Sequence, residues 1–179
     1  MLPMPERTVS SRHEFRGRLL ALRVDEVELA SGRHATREVV EHPGAVAILA
    51  YDGERLAMVR QWRQAAGAEL LEIPAGTCES GEAPLGTAQR ELAEESGLEA
   101  AQWVQGPAFY TAPGFSTELL TLFLATDLRT LETTAPDDEA LERSGLPLAA
   151  AEAAIDAGTI RDAKSLVGIL WLARRRAEG

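Results

Sequence analysis

The first 42 residues alternate between apolar and polar positions, with the two-residue period of strands that bury one face. The turn signal "SGRH" at 31–34 divides this segment, so two or three strands are expected. The run "GAVAILAYD" at 44–52 is nearly all apolar and predicts a buried strand. Because "DGER" then gives a turn before "LAMVRQWR", we interpret the pair as a hairpin that leads into a buried sheet.

A helical pattern replaces the strands between Pro84 and Ser96. Before it, "AELLEIPAGT" predicts one more strand, which stops at Pro74 and Gly76. Proline suits the first turn of a helix, and Gly97 is placed to end it. Three apolar residues of this segment share one arc of the helix and are expected to face the core: Leu85, Ala88 and Leu92.

The second half of the chain returns to strands and ends in helices. "AQWVQGPAFYTAPGF" and "TELLTLFLATDL" predict strands around a Pro-Gly loop, and the acidic loop "TTAPDDEALE" follows. Alanine-rich helices are expected at about 148–157 and 162–177. This order predicts a mixed α/β (α+β) architecture. Packing roles are expected for the tryptophans, although Trp62 is also placed to line a site: Trp62, Trp103 and Trp171.

Composition narrows the class of protein. At 179 residues with 45% hydrophobic and 26% charged residues, one soluble globular domain is expected, with or without a small terminal appendage. No apolar run approaches a membrane span, the start lacks a secretory signal, and the single Cys78 suits a reducing cytosol, so a cytoplasmic protein is expected. The net charge of −10, without a basic tract, argues against nucleic-acid binding.

Three carboxylates are crowded into five residues of the predicted helix: Glu91, Glu94 and Glu95. At 100° per residue they lie within an arc of about 100°. A solvated acidic face, partly compensated by Arg90, is the ordinary interpretation of such a cluster. The Gly-bearing loop "IPAGTCESGE" before the helix favours another, because its backbone can approach a ligand. Loop and helix oxygens together predict a Mg²⁺ or Mn²⁺ site, since bound cations would remove the repulsion.

The same residues resemble a known family. Gly76, Glu82 and "RELAEESGL" at 90–98 match the Nudix box, G-x5-E-x7-R-E-U-x-E-E-x-G-U, where U is a bulky aliphatic residue. The resemblance implies an α/β/α sandwich with mixed sheets over residues 43–179 and a small N-terminal β appendage over 1–42. It also implies hydrolysis of a nucleoside diphosphate linked to another moiety, by attack of water on the pyrophosphate.

The resemblance assigns roles within the box. Glu91 and Glu95 would be the principal metal ligands, with Glu94 nearby and the carbonyl of Ala75 adding an oxygen. Two or three Mg²⁺ (or Mn²⁺) ions are expected in the active complex. The remaining box positions would be structural, with the arginine and the first glutamate bracing the loop against the helix: Gly76, Glu82, Arg90 and Gly97.

A catalytic base is expected outside the box. Related enzymes often use a glutamate from a loop after it, where this chain has "DDEALE". Glu139 is the first choice and Glu142 the second, ahead of Asp137 and Asp138. Each could equally belong to a solvated acidic loop. Because Ser144 and Gly145 stand where bulky strand residues would be expected, the next strand is predicted to be short or distorted.

Residues outside the box resemble the ADP-ribose pyrophosphatase subfamily. The spacing of sixteen residues from Gly97 to Pro113 in "FYTAPGFSTE", and the segments "VRQWR" and "ELLEIPAGT", carry this resemblance. It implies a substrate loop at Pro113 and Gly114, a phosphate contact from Arg63 and a ribose contact from Glu118. Adenine would be held by an N-terminal strand within "RGRLLAL" that carries Arg18 and Leu19, commonly from the partner subunit. Arg37 is a further candidate at the same pocket.

The expected function is Mg²⁺-dependent hydrolysis of ADP-ribose to AMP and ribose 5-phosphate by a homodimer that exchanges N-terminal strands. Other small-molecule substrates stay open, namely GDP-mannose and flavin or nicotinamide dinucleotides. A regulator that binds ADP-ribose without hydrolysis is the alternative from another class. It is disfavoured because every acidic position of the box is intact.

Overall fold

The computed structural model describes residues 6–131 and 142–178. The chain forms two compact units, one comprising residues up to 44 together with 110–119, and the other residues 45–109 and 120–179. The elements in chain order are β1 (Arg7–Arg16), β2 (Ala21–Glu28), β3 (His34–Glu41), β4 (Ala45–Ala50), β5 (Arg55–Arg63), β6 (Ala68–Glu72), β7 (Ala75–Thr77), α1 (Pro84–Glu91), a π-helical turn (Leu92–Ser96, the π-turn), β8 (Leu98–Tyr110), β9 (Leu119–Thr130), β10 (Glu142–Pro147), α2 (Leu148–Asp156) and α3 (Ala163–Glu178).

The N-terminal unit is built on an antiparallel sheet with the order β1-β2-β3. The predicted turn after residue 30 joins β2 to β3, and the N–H of Leu29 donates to the carbonyl of Arg33 at 2.8 Å. Strand β1 lies at one edge of the sheet, and all ten of its residues are exposed. The predicted strand "RGRLLAL" is wrong in its centre, because Arg18 and Leu19 lie in the turn between β1 and β2.

The second unit contains two sheets. One has the order β7-β4-β9-β8, with β4 parallel to β9 and antiparallel to β7. The other has the order β10-β5-β6 and is antiparallel. The chain is therefore of the mixed α/β class with mixed sheets, as predicted. Among the described residues, no helix combines the length and the apolar character that a bilayer span needs.

Strand β4 is buried on both faces, which explains its unbroken apolar sequence. On one face Ala47 and Leu49 pack in a cluster with Ile169 of α3. On the other face Ile48 packs in a cluster with Leu92 at the end of the box helix. Helical residues thus pack on both faces of β4, in the α/β/α layering that the family resemblance implies.

The predicted hairpin between β4 and β5 is wrong. The local turn does form, because Asp52 Oδ1 accepts the N–H groups of Glu54 and Arg55 at 2.8 and 2.7 Å. A single bridge, between Tyr51 and Leu56, then joins the two strands before they enter different sheets. Strand β4 instead takes β7 and β9 as neighbours, while β5 pairs with β6 and β10 in the other sheet.

Three other expectations also need correction. Leu85 is 40% exposed, and Thr87 is buried in its place. The Thr87 hydroxyl donates to Glu82 Oε2 at 2.8 Å, which offsets the cost of burying it. Trp62 is 57% exposed and donates to Gln64, so it does not pack in the core. Strand β10 is neither short nor distorted, since its six residues pair in continuous register with β5.

Candidate active site

The carboxylate cluster lies where α1 passes into the π-turn. Pro84 begins α1, as predicted, and Gly97 ends the π-turn in the left-handed conformation, with φ of 66°. Wider turns of this kind are rare and occur frequently at functional sites. Glu91 closes α1, and Glu94 and Glu95 lie within the π-turn, so the change of helical pitch falls inside the cluster.

Gly76 forms a cradle for Glu91. A Cβ atom built on Gly76 would lie 1.9 Å from Cδ of Glu91, so the carboxylate rests directly against the backbone of β7. No other residue allows this approach, because a side chain at position 76 would displace the carboxylate. The loop and the helix therefore meet through a glycine and a glutamate of the motif.

Glu95 is buried, with 6% of its surface exposed. Its Oε2 accepts the N–H of Ala75 at 2.9 Å. Strand β7 holds Ala75 in register with Ala47 of β4, so the core sheet fixes the backbone that Glu95 binds. Ala75, Glu91 and Glu95 are thus brought together at one end of β7, where the resemblance expects metal ligands.

Arg90 is the cation at the centre of this cluster. It donates to both carboxylate oxygens of Glu82 at 3.3 and 3.2 Å, to Glu91 Oε1 at 2.7 Å and to Glu94 Oε2 at 3.0 Å. The hydrogen bonds from Arg90 and then from Thr87 lower the pKa of Glu82 to about 2. The same contacts raise the pKa of the Arg90 guanidinium. The box loop and helix are consequently joined by charge-assisted hydrogen bonds.

The oxygen donors around the π-turn suit a hard divalent cation, although in the described residues they are not grouped around one cation position. Across residues 6–131 and 142–178, no three His, Cys, Asp or Glu side chains are grouped so that they could hold a metal ion. Arg90 neutralises Glu91 and Glu94 in this arrangement. Three carboxylates and a backbone cradle nevertheless supply oxygen donors, which fit the chemistry of Mg²⁺ or Mn²⁺.

Arg143 is a contributor that the sequence did not reveal. From β10 it donates through Nε to the carbonyl of Glu95 at 2.8 Å and through Nη2 to the carbonyl of Glu94 at 3.0 Å. These are carbonyls at the C-terminal end of a helical segment, where a cation is favourable. No local signal marks this contact, because 48 residues separate Arg143 from Glu95.

Arg63 lies at the end of β5 and forms a fork with Glu72. Its Nε and Nη2 donate to the two oxygens of Glu72 at 2.9 and 2.6 Å. The pKa of Arg63 is raised, chiefly by these hydrogen bonds and further by the charges of Glu72, Glu95 and Asp162. The predicted phosphate contact of Arg63 stays a prediction. Among the described residues, the fork with Glu72 occupies Nε and Nη2, so Nη1 is the nitrogen that could make this contact.

Comparison with known families agrees with the motif. Residues 41–166 match the family model of the NUDIX domain. The chain belongs to the Nudix family. Residues 6–40 match a second model, the nucleoside diphosphate sugar hydrolase N-terminal domain. The two matches together cover most of the chain.

Curated relatives of this Nudix protein align over nearly its whole length. An ADP-ribose pyrophosphatase of Bacillus subtilis (strain 168) is 39% identical over 180 residues, which cover 99% of this chain and 97% of the relative. An ADP-ribose pyrophosphatase of Mycobacterium tuberculosis is 42% identical over 167 residues, covering 91% and 81%. A methanol dehydrogenase activator of Bacillus methanolicus is 39% identical over 175 residues, covering 96% and 95%.

A solved structure supports the fold. The crystal structure of an ADP compounds hydrolase matches all of this chain and 98% of that chain with a TM-score of 0.87. At 19% sequence identity the likeness establishes the fold alone. With the family match, it confirms that the chain is a Nudix hydrolase with the predicted mixed α/β architecture. Nudix hydrolases generally need divalent metal ions.

Several predicted substrate residues line a cavity in the N-terminal unit. Arg37, Pro113 and Gly114 border a space of about 680 Å³. Arg37 also donates to Glu6, at 3.0 Å through Nε. Glu118 lies in the same unit, where it accepts the hydroxyl of Thr111. The predicted contacts of all four with substrate stay predictions.

The other predicted residues fall elsewhere. Leu19 borders a separate recess of about 410 Å³, and Arg18 is exposed in the turn beside it. Glu142 begins β10, with 74% of its side chain exposed and an oxygen 3.8 Å from Nε of Arg60. Glu139, Asp137 and Asp138 lie outside the described residues. The assignment of the base therefore stays a prediction.

Proposed function

We propose that this Nudix hydrolase cleaves the pyrophosphate of ADP-ribose, with divalent metal ions, to give AMP and ribose 5-phosphate. One observation carries the proposal. All three box carboxylates, Glu91, Glu94 and Glu95, occur in a chain that aligns over most of its length with two ADP-ribose pyrophosphatases. The N-terminal cavity supports it, because three of the residues expected to contact the substrate border it: Arg37, Pro113 and Gly114.

Glu91, Glu94 and Glu95, with the carbonyl of Ala75, would hold two or three Mg²⁺ or Mn²⁺ ions. When bound, such ions neutralise phosphate charge and lower the pKa of water. Arg90 pairs with Glu91 and Glu94, so these carboxylates would exchange a guanidinium for a metal ion when the site is filled. Arg90 also pairs with Glu82, and this contact would keep the box loop attached to the helix.

The residues of the chain itself bind and orient the substrate. Arg63 binds a phosphate oxygen through Nη1, and a guanidinium suits that contact. Glu118 accepts a ribose hydroxyl, while Arg37 and the Pro113–Gly114 loop border the nucleoside. Arg18 and Leu19 contribute to the adenine pocket from a neighbouring subunit. Glu139, or failing that Glu142, takes the proton of the attacking water.

A homodimer in the cytoplasm is part of the proposal. The exposed edge strand β1 supports the dimer, because an uncovered strand edge invites pairing with another chain. Its apolar side chains Val9 and Phe15 are 42% and 56% exposed. The single Cys78 supports a reducing compartment.

The test is turnover of a substrate panel. ADP-ribose, GDP-mannose, a flavin dinucleotide and a nicotinamide dinucleotide are each incubated with Mg²⁺, Mn²⁺ or EDTA, and the mononucleotide products are quantified. We expect turnover to be highest on ADP-ribose and absent with EDTA. Highest turnover on another compound would overturn the substrate assignment alone. Tight binding of ADP-ribose without turnover of any compound would make the protein a regulator.

A further inference from the structure

Lys164 is the single lysine of a chain that has seventeen arginines. It lies in the first turn of α3, with 13% of its side chain exposed. Its Nζ donates to Asp162 Oδ1 at 2.9 Å and to Glu72 Oε2. An ammonium is a compact point charge with three donors, whereas a guanidinium needs a planar fork. The one lysine is thus used where a cation fits between two nearly buried carboxylates.

Glu72 links this lysine to Arg63. Its side chain is 1% exposed, and it accepts hydrogen bonds from both cations. Burial raises the pKa of Glu72, but the hydrogen bonds from Arg63 and the charge of Lys164 outweigh it and hold that pKa below its usual value. The four charges alternate in sign along Asp162, Lys164, Glu72 and Arg63, which we call the charge chain. Exposure is appreciable only at its last member, where 39% of the Arg63 side chain is accessible.

The backbone fixes the inner end of the charge chain. Asp162 Oδ1 accepts the N–H of Ser165 at 3.1 Å, which is the hydrogen bond of a helix N-cap at the start of α3. The hydroxyl of the buried Ser165 then accepts the N–H of Ile73 at 2.9 Å. The start of α3 is therefore attached to the end of β6, next to Glu72.

The end of β6 also leads along the chain to the residue that binds Glu95 of the π-turn. Beyond Glu72 and Ile73, the chain passes through Pro74 to Ala75, whose N–H binds Glu95. Strand β5, which carries Arg63, also contacts the π-turn. The charge chain thus fixes a guanidinium relative to the predicted metal ligands.

Stability alone does not explain four charges in this position. Buried ion pairs cost desolvation free energy, and apolar residues of similar volume are often as stable. The charge chain is better explained by the orientation that it imposes on Arg63 at its exposed end. A carboxylate with two cationic partners keeps one fixed orientation, and the Arg63 fork must follow it.

We propose that Glu72 and Lys164 are positioning residues that orient Arg63 Nη1 toward the pyrophosphate of the substrate. This inference rests on the proposed function, in which Arg63 binds a substrate phosphate. Neither residue touches the substrate, and both act through the guanidinium.

The first test compares Glu72→Gln and Lys164→Met with matched controls. Glu69→Gln removes an exposed carboxylate from the same strand, and Arg174→Met removes an exposed cation from the same helix. We expect Glu72→Gln and Lys164→Met to raise KM for ADP-ribose about tenfold while kcat changes less than about threefold, because lost uniform binding appears in KM. Lys164→Arg keeps the charge and is expected to recover part of the affinity. Both controls should keep the wild-type constants.

A double-mutant cycle with Arg63→Gln separates positioning from a merely structural role. If Glu72 and Lys164 act through Arg63, their substitution in the Arg63→Gln background raises KM less than about twofold further. Full additivity would overturn the inference, as would an unchanged KM in well-folded Glu72→Gln. Failure of the proposed function differs, since wild-type protein would not turn over ADP-ribose or Arg63→Gln would keep the wild-type KM.

The single lysine provides a readout besides activity. Protein made with ¹⁵N-labelled lysine and without a lysine-containing tag has one side-chain ammonium signal, that of Lys164. We expect slow proton exchange at this ammonium, and a shifted or lost signal in Glu72→Gln but not in Glu69→Gln. An unchanged signal in Glu72→Gln would overturn the contact on which the inference depends.

Discussion

Glu95 combines burial with a backbone hydrogen bond, and this makes its substitution informative. Glutamine keeps an oxygen that can accept the N–H of Ala75, so Glu95→Gln should preserve the fold. It removes the negative charge that a divalent cation needs. We expect Glu95→Gln, like Glu91→Gln, to lose at least about a thousandfold in kcat with a nearly unchanged melting temperature. Steady-state kinetics and thermal melts test this, with Glu99→Gln, at a partly exposed position outside the cluster, as the control. Full activity in both box variants would contradict the metal-ligand assignment.

Gly76 and Gly86 provide a matched pair for the cradle. A methyl group at position 76 would lie 1.9 Å from Cδ of Glu91, whereas at position 86 the nearest side-chain atom is 3.8 Å away. Gly76→Ala should therefore displace Glu91 and sharply reduce metal-dependent turnover. Gly86→Ala lies within α1 and should be active and more stable by about 0.5–1 kcal/mol, because alanine favours helix. Comparable activity of the two variants would show that Glu91 does not depend on the cradle.

Glu82 joins the box loop to α1, and its hydrogen bonds make the stability of the fold depend on pH. Its pKa is about 2 in the folded protein, where the hydrogen bonds from Arg90 and Thr87 favour the carboxylate. In the unfolded chain the pKa of a glutamate is about 4.3. Because the folded pKa is the lower one, the contribution to stability is fully present above about pH 4.3 and is lost as the pH falls toward about 2. Stability at neutral pH should therefore exceed that of Glu82→Gln.

Urea unfolding between pH 7 and pH 2.5 measures this contribution. Other carboxylates with lowered pKa values also lose stability in acid, so the comparison is between wild-type protein and Glu82→Gln. The difference in unfolding free energy should be largest above pH 5 and shrink below pH 4. A difference that is constant with pH would mean that Glu82 contributes by packing alone.

Periodicity and local signals made most elements predictable. The box helix began and ended where Pro84 and Gly97 indicated, and the C-terminal helices lie within one or two residues of their expected bounds. The pairing between strands was harder to predict from the sequence. A turn such as 52–55 shows that the chain reverses there, but it does not show which strands become neighbours in a sheet. The hairpin expectation failed because β4 pairs with β7 and β9, which lie further along the chain, while β5 enters a separate sheet.

The site was predictable only where its residues share one stretch of sequence. The box put three carboxylates on one turn, and a motif of that length is specific. Glu72 and Lys164 are 92 residues apart, and neither carries a local signal of the other. Two traces did exist, a charged residue in the apolar run "LLEIPA" and the solitary lysine of an arginine-rich chain. Neither trace predicts the contact between Glu72 and Lys164 until the fold shows that the end of β6 lies beside the start of α3.

At the scale of the whole molecule, the N-terminal unit has an exposed edge strand, β1, in its three-stranded sheet. Every residue of β1 is exposed, although the strand carries Val9 and Phe15. Exposed apolar edges promote association, and closed symmetric dimers are its commonest outcome. A dimer would also supply the second subunit from which Arg18 and Leu19 are proposed to reach the adenine pocket.

Light scattering after size-exclusion chromatography tests the dimer directly. Wild-type protein should elute with twice the 19.3 kDa mass of one chain. The double variant Val9→Glu, Phe15→Glu places like charges at the proposed interface, so we expect it to elute as a monomer with much lower turnover. Val104→Glu, at a 43% exposed position of β8, is the control and should stay dimeric. A monomeric wild type would make the dimer proposal wrong, and a dimeric double variant would place the interface away from β1.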